Sequence, residues 1–338
     1  MAQRIGNYTI KLDKQPSVLG YAAVVGKKEG QGPLGRNFDM VYEDTLIGQK
    51  SWEKAESVLQ REAVKKALEK AGCQPSDMDG IIAGDLLNQC ISSTFGLEPF
   101  DIPFLGVYGA CSTMAESLLV GSMMIDSGSA NKCACVTSSH FASSERQFRF
   151  PLEYGGQRPP TAQWTVTGSG SVILGNSGSD ICITEMSVGK IVDAGIKDAN
   201  NMGAAMAKSA AVTLLNYFND TGYDPKQFDM IATGDLGFVG SQILIELLSR
   251  EGINLGDKYT DCGLLIFDRD KQGVDSGGSG CGCSASVLCA YILNGLKEGK
   301  LKDVLFIATG ALMSPTSVQQ GESIPGVAHL IRFNRSLN

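Results

Sequence analysis

Apolar residues along the first third of the chain recur with two different periods. Between Trp52 and Ala71 they return every three or four positions, which places them on one side of a helix that ends before Gly72 and Pro75. The next apolar run, residues 78–86, is short and has Gly and Asp near its end, as in a buried strand. The pattern therefore predicts an amphipathic helix followed by a strand.

A strand-turn-helix pattern follows and holds the first candidate for chemistry. A short apolar segment at 102–108 precedes the sequence Gly-Ala-Cys-Ser-Thr at 109–113, and apolar residues at helical spacing come next. Residues 132–137 then form another run that is typical of a buried strand. We expect Cys111 to lie at the start of the helix.

The second half of the chain repeats this layout. Residues 229–236 match residues 79–86, with identical Asp, Ile, Gly, Asp and Leu at equivalent places. A later glycine-rich segment, residues 280–285, opens a helix that aligns with the one after Cys111. The repeat predicts a layered α/β protein of two pseudo-symmetric halves, 1–178 and 179–338, with Cys111 facing the crevice between them.

Composition narrows the class of protein. The 338 residues carry a formal net charge of -7, whereas binding to a phosphate backbone draws on clustered Lys and Arg, so we expect no nucleic-acid partner. No apolar run is long enough to span a membrane and residues 1–15 lack a signal-peptide core, which predicts a cytoplasmic chain. The ten cysteines are expected to be thiols, and neither zinc spacing nor a nucleotide-binding glycine pattern is found. We expect no resident metal or cofactor.

The duplicated α/β layout, the cysteine in 109–113 and the last apolar run at 326–333 resemble the thiolase superfamily. Within it, the chain is similar to a branch of sporulation proteins of spore-forming bacteria. The segments that carry this second resemblance are 84–89 (Gly-Asp-Leu-Leu-Asn-Gln), 109–113, 145–149 (Glu-Arg-Gln-Phe-Arg), 154–157, 165–170 and 308–312. The resemblance implies a five-layered αβαβα fold and, in place of condensation chemistry, binding of dipicolinic acid to support its uptake into the developing spore.

The same resemblance implies partners and a place in the cell. Family members pair through the edge of the first-half sheet, which implies a homodimer. The resemblance also implies that the chain works with membrane proteins of the same sporulation operon, peripherally at the inner membrane of the forespore. Whether calcium is bound together with dipicolinate stays open.

Cys111 is the candidate nucleophile. A thiol at a helix N-terminus meets the positive end of the helix dipole, which lowers its pKa, but the same position suits a small residue that only fills a turn. A condensing thiolase relative also needs His at the end of a second-half strand and His or Asn in the second-half glycine-rich turn. Residues 233–236 and 278–282 contain neither. We therefore interpret Cys111 as a vestigial nucleophile that forms part of the pocket wall.

The chain has only two histidines, His140 and His329, and both are expected at strand ends or turns that face the crevice. A lone histidine is more often a hydrogen-bonded structural residue, but His329 could line the pocket and assist Cys111. This pair keeps an alternative function open. It is a Cys111-dependent acyl-transferase or thioesterase that acts on acyl thioesters.

Asp85 and Asp235 occupy equivalent strand ends in the two halves. A carboxylate there caps local backbone N–H groups or faces a ligand, and its repetition favours a shared structural role. We nevertheless include both among the candidate ligand-binding residues because a deep pocket would feel their charge.

Arginines are concentrated in residues 140–164, which we interpret as a long loop. Arg146, Arg149 and Arg158 lie there within thirteen residues. Planar guanidinium groups suit a flat dicarboxylate such as dipicolinate, although each arginine can equally pair with a neighbouring glutamate. The sequence thus predicts a dianion site that includes Arg146 and Arg149.

Overall fold

The computed structural model describes residues 2–148 and 158–336. The strands have the following bounds: β1 Gln3–Ile5, β2 Thr9–Lys11, β3 Ser17–Gly26, β4 Met40–Tyr42, β5 Gly80–Asp85, β6 Phe104–Gly106, β7 Lys132–Ser139, β8 Trp164–Thr165, β9 Gly168–Gly175, β10 Ile181–Ser187, β11 Met230–Thr233, β12 Tyr259–Asp261, β13 Gly278–Ser279, β14 Asp303–Ala311 and β15 Gly326–Arg335. The α-helices are α1 Lys27–Gly30, α2 Trp52–Ala71, α3 Ile91–Leu97, α4 Thr113–Ser127, α5 Phe141–Phe148, α6 Met202–Thr221, α7 Gly237–Arg250, α8 Cys262–Ile266, α9 Arg269–Gln272, α10 Cys281–Val287, α11 Leu293–Lys297 and α12 Pro315–Gln319.

The two halves of the sheet have the same strand order and the same directions. In the first half the order is β6-β5-β7-β9-β3, and in the second it is β12-β11-β14-β15-β10. In each half the first three strands pair in parallel and the last two join in antiparallel fashion. The halves meet where β10 pairs with β3. The internal repeat read from the sequence is therefore a repeat of topology.

The repeat extends to individual hydrogen bonds. The Asp79 carboxylate accepts from the backbone N–H groups of Asn131 and Lys132 at 2.6 and 3.1 Å. Asp229 does the same in the second half, accepting from Lys302 and Asp303 at 2.7 and 3.1 Å. A carboxylate at the start of one strand thus fixes the entry of its parallel neighbour in both halves.

Helices and sheets alternate in five layers. α2 covers the outer face of the first-half sheet, and α6 covers the outer face of the second, with α7 beside it. α4 lies between the sheets, where it touches β5 and β7 of one half and β14 and β15 of the other. The largest apolar cluster fills this middle layer and includes Met114, Leu118 and Leu288. No helix in the described ranges is long and apolar enough to cross a membrane.

The helix predicted between Trp52 and Ala71 has those bounds as α2. The Ser51 side chain accepts from the Lys54 N–H and caps its start, and Gly72 ends it with φ 65°, a left-handed conformation that glycine adopts without strain. The stretch 140–164 departs from its interpretation as a loop, because residues 141–148 form α5. The loop interpretation overlooked the spacing of Phe141, Ser144, Glu145 and Phe148, which fits one face of a helix.

Candidate functional site

Cys111 lies in a tight turn at the boundary between the halves. Residues 110–112 form a 3-10 turn that leads directly into α4, as the sequence predicted. Ala110 has φ 51°, a left-handed conformation that is strained for a residue with a Cβ. Gly310 of β14 packs so closely on this turn that a Cβ there would lie 2.2 Å from the Gly109 carbonyl oxygen. The second half therefore holds the turn that presents Cys111.

The carboxylate of Asp235, two residues after the end of β11, lies near the Cys111 thiol and interacts with it electrostatically. Asp235 is fully buried and accepts hydrogen bonds from Gly280 N at 2.8 Å, Thr309 Oγ1 at 2.8 Å and Ser279 Oγ at 3.1 Å. Burial raises the pKa of Cys111 well above its ordinary value, and the charge of Asp235 raises it further. The expectation that the helix dipole lowers the pKa of Cys111 is wrong, because desolvation and a neighbouring carboxylate both favour the neutral thiol.

A crevice opens in front of Cys111. Its volume is about 450 Å³, and part of this space is open to solvent. Its walls are largely apolar, with a few hydroxyl groups and one carboxylate. The lining residues are Leu86, Tyr108, Ala110, Cys111, Ser144, Glu145, Phe148, Thr165, Met202, Ser279, Ala311 and Met313. Such walls and a few convergent polar groups are typical of small-molecule sites.

Two polar side chains of α5 distinguish one wall of this crevice. Ser144 is buried, and its hydroxyl has no hydrogen-bond partner among the described residues. Glu145 is also buried, accepts from Thr165 Oγ1 at 3.1 Å and forms an ion pair with Arg158 at 3.0 Å. Buried hydroxyls are nearly always hydrogen-bonded, so Ser144 stands out among the described residues as a donor and acceptor without a protein partner beside the crevice. The sequence reasoning did not single it out.

The two arginines of this cluster that the structure describes, Arg146 and Arg158, do not line the crevice. Arg158 pairs with Glu145 and lies over the ring of Trp164, with its guanidinium carbon 4.9 Å from the ring centre. Arg146 points away from the crevice and pairs with Glu53. Its guanidinium carbon lies 5.2 Å from the centre of the Trp52 ring. Arg149 falls outside the described residues. The geometry therefore contradicts the prediction that Arg146 contacts the ligand directly, because its side chain extends from α5 toward α2.

Neither histidine is among the side chains that line the crevice in the described part of the chain. His329 is buried in β15, where its Nδ1 accepts from Gly189 N at 3.1 Å, and burial lowers its pKa to about 4. His140 bonds the Thr45 carbonyl through Nε2 at 2.8 Å and accepts from Ala142 N at its Nδ1. Burial lowers the pKa of His140 as well. The expectation that both imidazoles face the crevice is wrong, because backbone groups engage them elsewhere.

Asp85 and Asp235 do not share a role despite their equivalent positions. Asp85 accepts from Leu87 N at 2.9 Å and from Ser93 N and Oγ at 2.8 and 2.6 Å, and it holds its own loop. In the second half Asp261 holds the equivalent loop, accepting from Leu236 N at 2.8 Å and Gly237 N at 3.0 Å. This frees Asp235 to reach Cys111. In the second half, Asp261 of β12 therefore has the structural role that Asp85 has in the first half.

The fold and the site together define the class of protein. The chain has the thiolase-like fold, with a cysteine turn at the crevice between two equivalent halves. Solved structures with this fold include 3-oxoacyl-[acyl-carrier-protein] synthase III from Aquifex aeolicus, at TM-score 0.56 and 13% identity over 94% of this chain and 99% of that one. A variant of OleA from Xanthomonas campestris matches at TM-score 0.62 and 14% identity over 96% of this chain and 97% of that one.

The chain belongs to the stage V sporulation protein AD family, whose model matches residues 6–334. Stage V sporulation protein AD of Bacillus subtilis is 48% identical over 311 residues, which cover 92% of each chain. The expected thiolase-like fold and the expected resemblance to the sporulation proteins are confirmed.

Proposed function

We propose that the chain binds dipicolinic acid in the Cys111 crevice without catalysis and supports its uptake into the developing spore, together with membrane proteins of the same sporulation operon. One observation carries this proposal. The crevice is open in front of Cys111, but the charged group that acts on the thiol is the carboxylate of Asp235, whereas a catalytic thiol would need an imidazole. A carboxylate partner raises the pKa of the thiol and suppresses the thiolate, so the site suits binding better than nucleophilic attack.

The chemistry of the walls suits a flat, polar-edged ring. Apolar side chains from both halves, including Leu86, Phe148 and Met313, flank the space, and the hydroxyl of Ser144 is available for a ligand carboxylate. A bare dianion would meet the buried carboxylate of Asp235 behind Cys111, whereas Glu145 is already paired with Arg158. Dipicolinate chelates calcium through its ring nitrogen and both carboxylates, and the resulting complex is electrically neutral. We therefore propose the calcium chelate as the bound form, because calcium prefers oxygen ligands and removes the charge conflict.

Titration calorimetry tests this proposal. Dipicolinate with calcium should release or absorb heat in a saturable manner with the wild-type chain, and more weakly without calcium. Benzene-1,3-dicarboxylate is the matched control ligand, because it has the same two carboxylates but no ring nitrogen. Ala311→Phe, which fills the crevice, should abolish the signal, while Glu251→Gln at an exposed site should retain it. Absence of any heat at millimolar dipicolinate, with or without calcium, would rule out the proposal.

Acyl transfer through Cys111 is the second candidate function. It is favoured by the position of Cys111 at the crevice on a strained turn that follows the left-handed Ala110. Incubation with a short acyl-CoA, followed by intact mass measurement, tests it. An acyl adduct that is absent in Cys111→Ala and that disappears with time would establish turnover and overturn the non-catalytic proposal.

We also propose that a second copy of the chain docks on the free edge of the first-half sheet. β6 ends the ladder, and six of the ten large apolar side chains that are exposed in the described residues belong to residues 91–123, the part of the chain that contains β6. These six residues form the β6 patch: Ile91, Phe95, Phe104, Leu105, Tyr108 and Met123. An uncharged apolar edge strand invites pairing, and an identical strand can pair with it in antiparallel fashion about a two-fold axis.

Light scattering during gel filtration tests the proposed dimer. The wild-type chain should have the mass of a dimer and Leu105→Lys that of a monomer. Ile191→Lys is the matched control, because Ile191 is 72% exposed and lies outside the β6 patch. A monomeric wild-type chain would refute the proposal that a second copy docks on the β6 patch.

A further inference from the structure

The two faces of α5 have different tasks. Successive residues of an α-helix are rotated by about 100°, so Ser144, Glu145 and Phe148 share one face, whereas Ser143 and Arg146 lie on the other. The first three side chains line the crevice. The other two contact α2. The helix is therefore a wall whose back is attached to the outer layer of the fold.

Two glutamates on α2 make this attachment. Glu56 is fully buried and accepts from Ser143 Oγ at 2.8 Å. Glu53, one turn earlier, forms an ion pair with Arg146, whose guanidinium group also lies over the Trp52 ring. We call the four residues Glu53, Glu56, Ser143 and Arg146 the α2–α5 latch.

The latch is one of several attachments of α5, which also include the stacking of Phe141 on Trp164 and the hydrogen bond that Glu145 accepts from Thr165. A helix of eight residues is not stable by itself in water, so tertiary contacts decide where α5 lies. On the crevice side, Phe148 packs against the cluster formed by Leu86, Cys111 and Cys281. Movement of α5 would therefore displace Ser144 and uncover Cys111 at the same time.

We infer that Glu53 and Arg146 are positioning residues for ligand binding, because their ion pair holds the α5 wall in place against the crevice. This inference rests on the proposed function, since it assigns the ligand to that wall. It also separates two roles for Arg146. As a positioning residue it acts through Glu53, whereas as a ligand contact it would need its own positive charge at the crevice.

A charge-swap experiment tests the latch. The variants are Glu53→Arg, Arg146→Glu and the double variant that restores an ion pair in the opposite order. The first readout is the rate at which iodoacetamide modifies Cys111, followed by peptide mass, which needs no ligand. The second is the dissociation constant for calcium dipicolinate. Glu69→Arg is the matched control, because Glu69 lies on α2 and pairs with Lys66 instead of α5.

Each single variant should increase the rate of Cys111 modification and weaken binding by about three- to tenfold, as expected for the loss of a partly exposed ion pair and the shift of a short helix. The double variant should return both values to within about twofold of the wild type. Single variants that match the wild type in both readouts would refute the latch. A double variant with wild-type thermal unfolding but unrestored binding would overturn the positioning role and make Arg146 a ligand contact.

The two proposals can fail separately. If the wild-type chain does not bind calcium dipicolinate, but Cys111 modification follows the charge-swap pattern, the proposed ligand is wrong and the latch stands. Arg146→Gln and Glu53→Gln provide milder variants should a charge reversal prevent folding. They should accelerate Cys111 modification in the same direction, and wild-type rates in both would refute the latch.

Discussion

Replacing Asp261 by asparagine should remove a pH dependence from the stability of this protein. Asp261 is fully buried beneath the loop that carries Asp235, and it accepts from Thr233 Oγ1 at 2.6 Å as well as from Leu236 N and Gly237 N. Burial raises its pKa from 3.8 to about 7. The native state therefore holds this proton more tightly than the unfolded state, so Asp261 lowers the free energy of unfolding as pH rises through that interval.

Linkage gives the size of the effect. With a pKa of 3.8 in the unfolded chain and about 7 in the native one, this group alone should reduce the free energy of unfolding by about 3 kcal/mol between pH 4.5 and pH 8. Asparagine does not titrate, so Asp261→Asn lacks this component. Glu29, whose pKa burial also raises to about 7, is present in both proteins and cancels in the comparison.

Urea unfolding followed by tryptophan fluorescence, at several pH values from 4.5 to 8, measures the difference. The free energy of unfolding of the wild type should fall relative to that of Asp261→Asn by about 3 kcal/mol across the series. Glu251→Gln, at an exposed site, should run parallel to the wild type. Parallel curves for Asp261→Asn and wild type would show that the buried carboxyl group does not titrate as reasoned.

Three further predictions concern substitutions at or beside the crevice. Gly310→Ala should destabilise the protein by about 1–3 kcal/mol in urea unfolding, because the new Cβ collides with the Gly109 carbonyl oxygen; a wild-type midpoint would contradict this contact. Asp235→Asn should increase the rate of iodoacetamide modification of Cys111 at pH 8, since it removes the carboxylate that helps to raise the pKa of that thiol; an unchanged rate would mean that burial alone sets it. Ser144→Ala should weaken binding of calcium dipicolinate by about three- to tenfold in calorimetry, as for one lost hydrogen bond, while unfolding stays unchanged.

Much of the fold could be predicted from the sequence, because its signals are local. The period of apolar residues in 52–71 and the caps at either end specify α2. The repeat between residues 79–86 and 229–236 specifies two equivalent strands, and the structure adds that their aspartates at 79 and 229 make equivalent hydrogen bonds. The turn that presents Cys111 could also be predicted, because a strand, a glycine and an apolar helix follow one another without a gap.

The site itself depends on contacts that no local pattern records. Sequence equivalence favoured one role for Asp85 and Asp235, but the side chain that replaces Asp235 in its loop is Asp261, which comes from a different strand. The concentration of arginines in residues 140–164 predicted that Arg146 lies at the crevice. The orientation of α5 instead directs that side chain toward Glu53, 93 residues earlier in the chain.

The sequence by itself determined α2, the repeated strands of the two halves and the position of Cys111 within its turn, but it missed α5. Only the tertiary structure decided the state of its thiol and the walls of the crevice. The physical reason is that secondary structure follows from the period of neighbouring residues, whereas desolvation and hydrogen bonding depend on groups that folding brings together from distant segments. Asp235 and Cys111 lie in different halves, and the carboxylate acts on the thiol only because the two halves pack against each other.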